Sequence, residues 1–484
     1  MIARSLPGLL SVALTLSAFT VAYDITALLS ELSPSTEVFY PSDANWTDSI
    51  QRWTTYDEPT FVAALKPASV EDLQTIVKFS AVNNVPFLAS GRGHGYSTSF
   101  GALENGIKVD LGFFNKTTVD ASANRMTVGG SVAFEDLMPV LFEAGKEIQT
   151  GSCPCVGMLG ATLGGGVGRY QGLHGLIIDA LKSVNLVTAS GDLITVSETE
   201  NSDLFWGIRG AGFNYGIITE ARYEVYDLTN GGVVVNADFL FPASSNETFF
   251  KALTSFGTLP PALSLYTLVV RNTTINETVI LLNAVYPGPE HEALNLIQPF
   301  MDIPYIEKNI SLVSWDMVDS SAGFGLGSMF CVDGQMHDMY SVGVKTLDLQ
   351  THLDYFNNLT AFYENYPSAS GSAWEIEFFP IQAIEAVPDF LTAYPHRAIR
   401  AQEMFSFNLT DLSAEEGVNE FANQAVKAFN ATSGFDDFHV YVSYAHGTES
   451  LSDMYGAEKL PRLLRLKETW DPKNLFRFNN PLVQ

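Results

Sequence analysis

The chain has 484 residues, 46% of them hydrophobic, enough to build one large domain or two to three ordinary ones. Acidic side chains outnumber basic ones 54 to 26, the formal net charge is −28 and no Lys/Arg-rich block occurs, which argues against nucleic acid as a partner. Three cysteines, Cys153, Cys155 and Cys331, are too few for a disulfide scaffold, and their odd number leaves at least one thiol for another use.

The chain opens on "MIARSLPGLLSVALTLSAFTVAYD", with a basic start at Arg4, an apolar run from Leu6 to Phe19 and small residues at Thr20 and Ala22. This reads as a cleaved secretory signal over residues 1–22; the run is short for a bilayer and no basic stop follows it, so no stable membrane anchor is expected. Asn-x-Ser/Thr sequons at Asn45, Asn115, Asn246, Asn272, Asn276, Asn309, Asn358, Asn408 and Asn430 fit surface glycan acceptors on a chain routed through the secretory pathway.

From Trp53 to about Leu228, short β-rich runs ("FVAALKP", "VPFLAS", "IKVDL", "RMTVGG") alternate with helical patterns. Ser69 with Asp72 opens the first of these helices like a capping box, and Val70, Leu73, Ile76 and Val77 give it an apolar face. Between Gly231 and Phe438 glycine thins out, and amphipathic strands such as "GGVVVNADFLFP", "LSLYTLVVRN" and "ETVILLNAVYPG" mix with helices such as "LDLQTHLDYFNNLTAFYENY". The tail "DDFHVYVSYAHG" then "KLPRLLRLKETWDPKNLFRFNNPL" reads as strand then helix, ended by Pro472. The expected plan is α+β: a nucleotide-binding domain over 23–229 (core about 57–229), completed by a returning segment at 439–484, with a substrate domain over 230–438 inserted on an antiparallel sheet.

Two glycine-rich constellations carry the chemistry. "GRGHG" (residues 91–95) follows a strand, but no helix starts at Tyr96 and no acidic residue closes a βαβ unit, so the dinucleotide fingerprint is a poor match. The second, residues 150–197, holds Gly164, Gly165, Gly166 and Gly168; with "DLFWGIRGAGFNYGIIT" at 203–219 it suggests backbone wrapped closely around a bulky flat or charged ligand. No C-x-x-C pair and no i, i+4 histidine pair is present, so no dedicated metal site is expected.

Taken in order, "GRGHG", G-x-C-P-x-V-G, G-G-G-x-G, "LHGLIIDALKSVNLVTASGDL", "DLFWGIRGAGFNYGIIT" and "DPKNLFRFN" resemble the berberine-bridge-enzyme-like branch of the vanillyl-alcohol oxidase / p-cresol methylhydroxylase superfamily. The resemblance covers nearly the whole chain from Trp53. It implies a two-domain PCMH-type FAD-binding fold with an inserted substrate domain, and FAD as cofactor. It further implies that His94 bonds the 8α-methyl of FAD and that Cys153, not Cys155, forms a second bond at flavin C6; Cys155 and Cys331 have no family role and can pair with each other. The cofactor-contacting positions implied are Gly91, Arg92, Gly93, Gly95, Gly157, Gly164, Gly165, Gly166, Gly168, Ile218 and Asn479, together with Val156, the position that gates oxygen in this family. A small aliphatic side chain there implies an oxidase returning electrons to O2. Ala161 stands where many members carry histidine.

For the proton-accepting group, strand alternation in "HVYVSYAHG" puts Tyr441 and Ser443 on one face and Val442 and Tyr444 on the other, so a single tyrosine is expected to face the flavin. Tyr441 is the first candidate and Tyr444 the second, with Glu403 or Gln402 as helpers. The expected activity is O2-dependent two-electron oxidation of a small organic substrate of fungal secondary-metabolite type. An extracellular carbohydrate oxidase, a flavin-bearing cyclase without net oxidation, and a protein holding flavin as structure only are the alternatives.

Overall fold

The computed structural model describes residues 25–483; the signal expected over residues 1–22 lies outside them. Strands β1 (Glu37–Phe39), β2 (Phe61–Lys66), β3 (Phe87–Ser90) and β4 (Gly106–Asp110) form a mixed sheet in the order β1-β2-β4-β3, in which β4 runs parallel to both β2 and β3. The parallel pairing needs a crossover, which the helix Val70–Asn83 supplies. Its first turn is capped as expected: Ser69 Oγ accepts from the Asp72 N–H, and Leu73, Ile76 and Val77 are buried on one face.

Strands β5 (Thr117–Asp120) and β6 (Arg125–Gly129), the short β7 (Lys146–Glu147), then β8 (Leu181–Val187), β9 (Leu193–Ser197), β10 (Ile217–Glu224) and β11 (Tyr226–Asp227) follow. Of these, five make an antiparallel sheet in the order β5-β6-β10-β8-β9, while β7 and β11 pair with each other. The core around this sheet takes in Val440, Tyr441, Met454, Tyr455, Leu463 and Leu482, so the C-terminal stretch packs against the N-terminal half.

Strands β12 (Val233–Pro242), β13 (Ser264–Asn272), β14 (Glu277–Tyr286), β15 (Glu307–Ser314), β16 (Met336–Val344), β17 (Ala373–Phe378) and β18 (Ala401–Leu409) build a seven-stranded sheet, antiparallel throughout, in the order β15-β12-β14-β13-β17-β18-β16. Period-two alternation gives it two different faces. On one, Trp374, Ile376 and Phe405 join a core with Phe250, Phe356 and Phe429 from the helices Asn246–Ser255, Leu349–Asn365 and Glu415–Thr432. The other face carries Tyr266, Leu268, Glu375, Glu377 and Met404 and looks back towards the glycine-rich loops. Among the described residues no helix is long and apolar enough to cross a membrane. None of the nine sequon asparagines is buried: Asn45, Asn115, Asn276, Asn309 and Asn358 are exposed and the other four half-buried.

Candidate active site

A cavity of about 370 Å³ lies between the glycine-rich loops and the inner face of the seven-stranded sheet. The end of β3 runs directly into one wall, where Gly91, Arg92, Gly93, His94 and Gly95 all line the cavity. The close approach is what demands glycine: a Cβ on Gly91 would sit 2.6 Å from the Gly130 carbonyl oxygen, and Gly93 has φ +71°. Gly151, Cys153, Val156 and Gly157 also line the cavity, as do Ile218 and Asn479. Gly160 also lines it, and a Cβ there would meet no protein atom within 4 Å, so the helix Met158–Gly164 presents bare backbone to the cavity. A flat, extended cofactor that must lie against main chain fits such a wall, as FAD does.

His94 and Cys153 stand together, with Nε2 and Sγ 4.0 Å apart. Burial pushes the His94 imidazole down to about 4, so it is neutral across the ordinary pH range, and pushes the Cys153 thiol up to about 12. The neutral imidazole thus keeps a free nitrogen lone pair, while the Cys153 thiol stays protonated beside it. His94 stacks on Trp53 with ring centroids 4.6 Å apart, and Trp53 stacks on His337 of β16 at 4.2 Å, which fixes the imidazole plane. Cys155 is bonded to Cys331, leaving Cys153 as the free cysteine. The His94, Cys153 and Cys155 donor atoms lie within 4.8 Å of one another, but the Cys155 sulfur is committed to the disulfide and offers no thiolate to a metal.

The glycine triplet does not lie on the cavity wall. Gly164, Gly165, Gly166 and Gly168 sit behind it, where Gly164 ends a helix and Gly165, at φ +149°, would place a Cβ 2.7 Å from the Tyr394 ring and 3.2 Å from that of Tyr441. Gly164 and Gly165 pack closely against the returning tail, whereas a Cβ on Gly166 would meet Ile177 and one on Gly168 the Thr150 carbonyl. Nor does "HVYVSYAHG" form a strand: Val442–Tyr444 is a single 3-10 turn. The bend defeats the expected alternation, and Tyr441, Ser443 and Tyr444 all reach the cavity.

The two tyrosines nevertheless differ. Tyr441 Oη accepts from the Gly166 N–H at 2.9 Å and donates to the Ala161 carbonyl at 3.2 Å, so its hydroxyl is held by main chain. Tyr444 Oη donates to Glu377 Oε2 at 2.9 Å, and Ser152 Oγ donates to the other carboxylate oxygen of the same residue. Burial raises the Glu377 carboxyl above its usual range while those two hydrogen bonds hold it down; Tyr444 is pushed well above the normal phenol range, first by burial and then by the Glu377 charge. Glu403 has no place here: it belongs to the helix-facing register of β18, fully buried, accepting from Trp374 Nε1 at 2.9 Å and facing His352 Nε2 at 3.2 Å. Gln402 does not line the cavity either.

Sequence reasoning missed Tyr266, Glu375, Glu377, Arg169 and Asp319, all on the cavity wall. The signal for the glutamates was present in "AWEIEF", two acids at strand spacing in an apolar segment. Tyr266 Oη donates to Glu375 Oε2 at 2.8 Å, repeating the tyrosine–carboxylate pairing one step along the sheet.

The FAD binding domain family matches residues 62–197, and the family described as "Berberine and berberine like" matches residues 440–482. The FAD-linked oxidoreductase azaL of Aspergillus niger is 43% identical over 466 residues, covering 95% of this chain and 98% of that protein. The FAD-linked oxidoreductase tazG of Aspergillus terreus is 41% identical over 482 residues, covering 98% and 97%. Among solved structures, Physcomitrella patens BBE-like 1 superposes with a TM-score of 0.83 at 22% identity, covering 96% of this chain and 100% of that one. The glucooligosaccharide oxidase from Acremonium strictum, whose description names a 6-S-cysteinyl, 8α-N1-histidyl FAD, superposes with a TM-score of 0.79 at 22% identity, covering 94% and 98%. The chain belongs to the berberine-bridge-like FAD-linked oxidoreductases, built on the PCMH-type FAD-binding fold.

Proposed function

We propose that this enzyme is an oxidase that removes two electrons and two protons from a hydroxyl-bearing carbon of a small, largely apolar organic compound of secondary-metabolite type. The observation that carries the reading is the Tyr444–Glu377 hydrogen bond between two residues that line the cavity. When bound, FAD would supply the two-electron acceptor and O2 would take the electrons on as H2O2; Val156, a small side chain on the cavity wall, supports this oxidase reading. The substrate hydroxyl gives its proton to Tyr444 Oη as the Tyr444 proton passes to Glu377. A phenol of such high pKa is a poor base on its own, so the carboxylate is the proton sink and the tyrosine the relay. Leu268, Leu281, Met339 and Met404 on the same face of the sheet offer an apolar bed that suits an aromatic or polyketide-like body better than a sugar ring.

Anaerobic mixing with a substrate found by oxygen consumption tests the relay. Tyr444→Phe is expected to keep FAD and to slow flavin bleaching by about 10²- to 10⁴-fold, whereas Tyr441→Phe disturbs packing and not proton transfer. Bleaching at the wild-type rate in Tyr444→Phe would remove Tyr444 from the reaction.

His94 and Cys153 are the attachment points in this reading, supported by their 4.0 Å separation on the cavity wall. Tryptic digestion is expected to yield flavin on the peptides of both residues; flavin on the His94 peptide alone would strike out Cys153.

A further inference from the structure

Arg169 follows the glycine triplet and reaches the cavity from the side of β13, yet its guanidinium is poorly used by the protein. The residue is only 5% exposed, and neither Nε nor Nη1 has a hydrogen-bond partner. Its nearest anion is Asp319, 3% exposed, with Nε and Oδ1 3.7 Å apart, beyond hydrogen-bond length, and Asp319 Oδ2 is also without a partner. Both residues line the cavity, and the guanidinium carbon stands 5.7 Å from the centroid of the Tyr266 ring, which limits where it can swing. Buried donors and acceptors left unmatched are costly, so a donor set and an acceptor side by side on a cavity wall are best explained by a ligand that satisfies both.

The charges choose the ligand class. A carboxylate bound to Arg169 would also face Asp319, Glu375 and Glu377, and an ammonium group bound to Asp319 would face the guanidinium. A neutral group carrying an oxygen acceptor beside an O–H donor meets neither penalty. We propose that Arg169 and Asp319 form the subsite that orients the substrate, Arg169 donating to a carbonyl oxygen and Asp319 Oδ2 accepting from a hydroxyl, so that the natural substrates are neutral hydroxy-carbonyl compounds. The proposal rests on the oxidase reading above, since it places the substrate in the same cavity, but it concerns binding and not the proton relay.

The test uses the flavin-loaded enzyme and reads the shift of its visible flavin spectrum on titration with 3-hydroxyacetophenone, acetophenone, 3-methylphenol and benzoate. The first is expected to bind about tenfold tighter than acetophenone or 3-methylphenol, each of which satisfies one partner only. Asp319→Ala should erase the advantage over acetophenone, and Arg169→Met the advantage over 3-methylphenol, with FAD content and thermal midpoint confirming that both variants fold; Arg169→Leu serves if Arg169→Met does not. Equal affinity for the three neutral probes, unchanged preferences in the variants, or tightest binding of benzoate would overturn the subsite. Because these are binding measurements, preserved selectivity in a protein whose Tyr444→Phe variant still bleaches normally would reject the relay and leave the subsite standing.

Discussion

Glu375 couples the chemistry of the cavity to the stability of the fold. Its carboxyl is pushed from 4.5 up to about 7, by burial first, with the Tyr266 hydrogen bond opposing the rise and the Glu377 charge adding to it. Between those two values the folded chain holds a proton on Glu375 that the unfolded chain has released. The folded state therefore binds more protons, and stability falls as pH rises through this window: the contribution is complete below about pH 4.5 and gone above about pH 7. Glu375→Gln removes this dependence while keeping the shape. Relative to wild type the variant is expected to gain stability between pH 5 and pH 8, by up to about 3 kcal/mol, from the 1.36 kcal/mol carried by each pKa unit. Asp319, raised to about 6, acts in the same direction in both proteins and cancels from the difference. Thermal unfolding at the two pH values checks it, and parallel pH profiles for the two proteins would show that Glu375 is solvated and not buried in function.

At the scale of elements, what the sequence revealed depended on whether a residue's role follows from its own segment or from its partner's. The helix Val70–Asn83 was legible because its cap and its apolar face lie within fourteen residues. The wall at Gly91–Gly95 was legible too, since glycines after a strand signal close backbone approach before any partner is known. By contrast, Glu403 and Glu377 are both acids in apolar strands, and period two says only that each shares a face with its alternate neighbours. Which face looks into the cavity is decided by the helices Leu349–Asn365 and Glu415–Thr432, which cover the Trp374 and Phe405 side, and by the register that sets Glu403 opposite Ile376 and not opposite Glu375. The strand expected through Tyr441 and Tyr444 did not form, for a different reason. "HVYVSYAHG" has strand-like composition, and the Gly343 N–H of β16 donates to its His439 carbonyl at 2.8 Å, but the main chain then turns at Val442–Tyr444, where Asn480 Nδ2 donates to the Val442 carbonyl at 2.9 Å. Local propensity yielded to the tail that crosses it.

On the scale of the whole molecule, the site exists only where two units meet, so what joins them bears on the reaction. Several ties cross from the N-terminal half to the inserted unit near His94, among them the Gly334 N–H donating to the Arg52 carbonyl at 2.9 Å and Thr54 Oγ1 donating to the His337 carbonyl at 2.8 Å, and two bear most directly on the site. One is Trp53, sandwiched between His94 and His337 and donating Nε1–H to the Phe330 carbonyl at 2.7 Å. The other is the Cys155–Cys331 disulfide, spanning 176 residues, which suits a chain matured in an oxidising compartment. It anchors the segment Leu326–Cys331, from which Leu326, Gly327 and Phe330 line the cavity. Closing so long a loop restricts the unfolded chain strongly, and removing the bond is expected to cost between about 2 and 5 kcal/mol. The double variant Cys155→Ala with Cys331→Ala leaves Cys153 as the lone thiol and so avoids re-pairing. It is expected to unfold at a lower temperature by calorimetry. It should also loosen the Leu326–Cys331 wall without displacing the His94 loop, because the Trp53 stack remains. The readout that separates this from general destabilisation is hydrogen exchange: amides of 322–332 should lose protection while those of 91–97 keep it. Equal loss in both segments would mean that the disulfide holds the His94 loop itself, and that the two ties work as one.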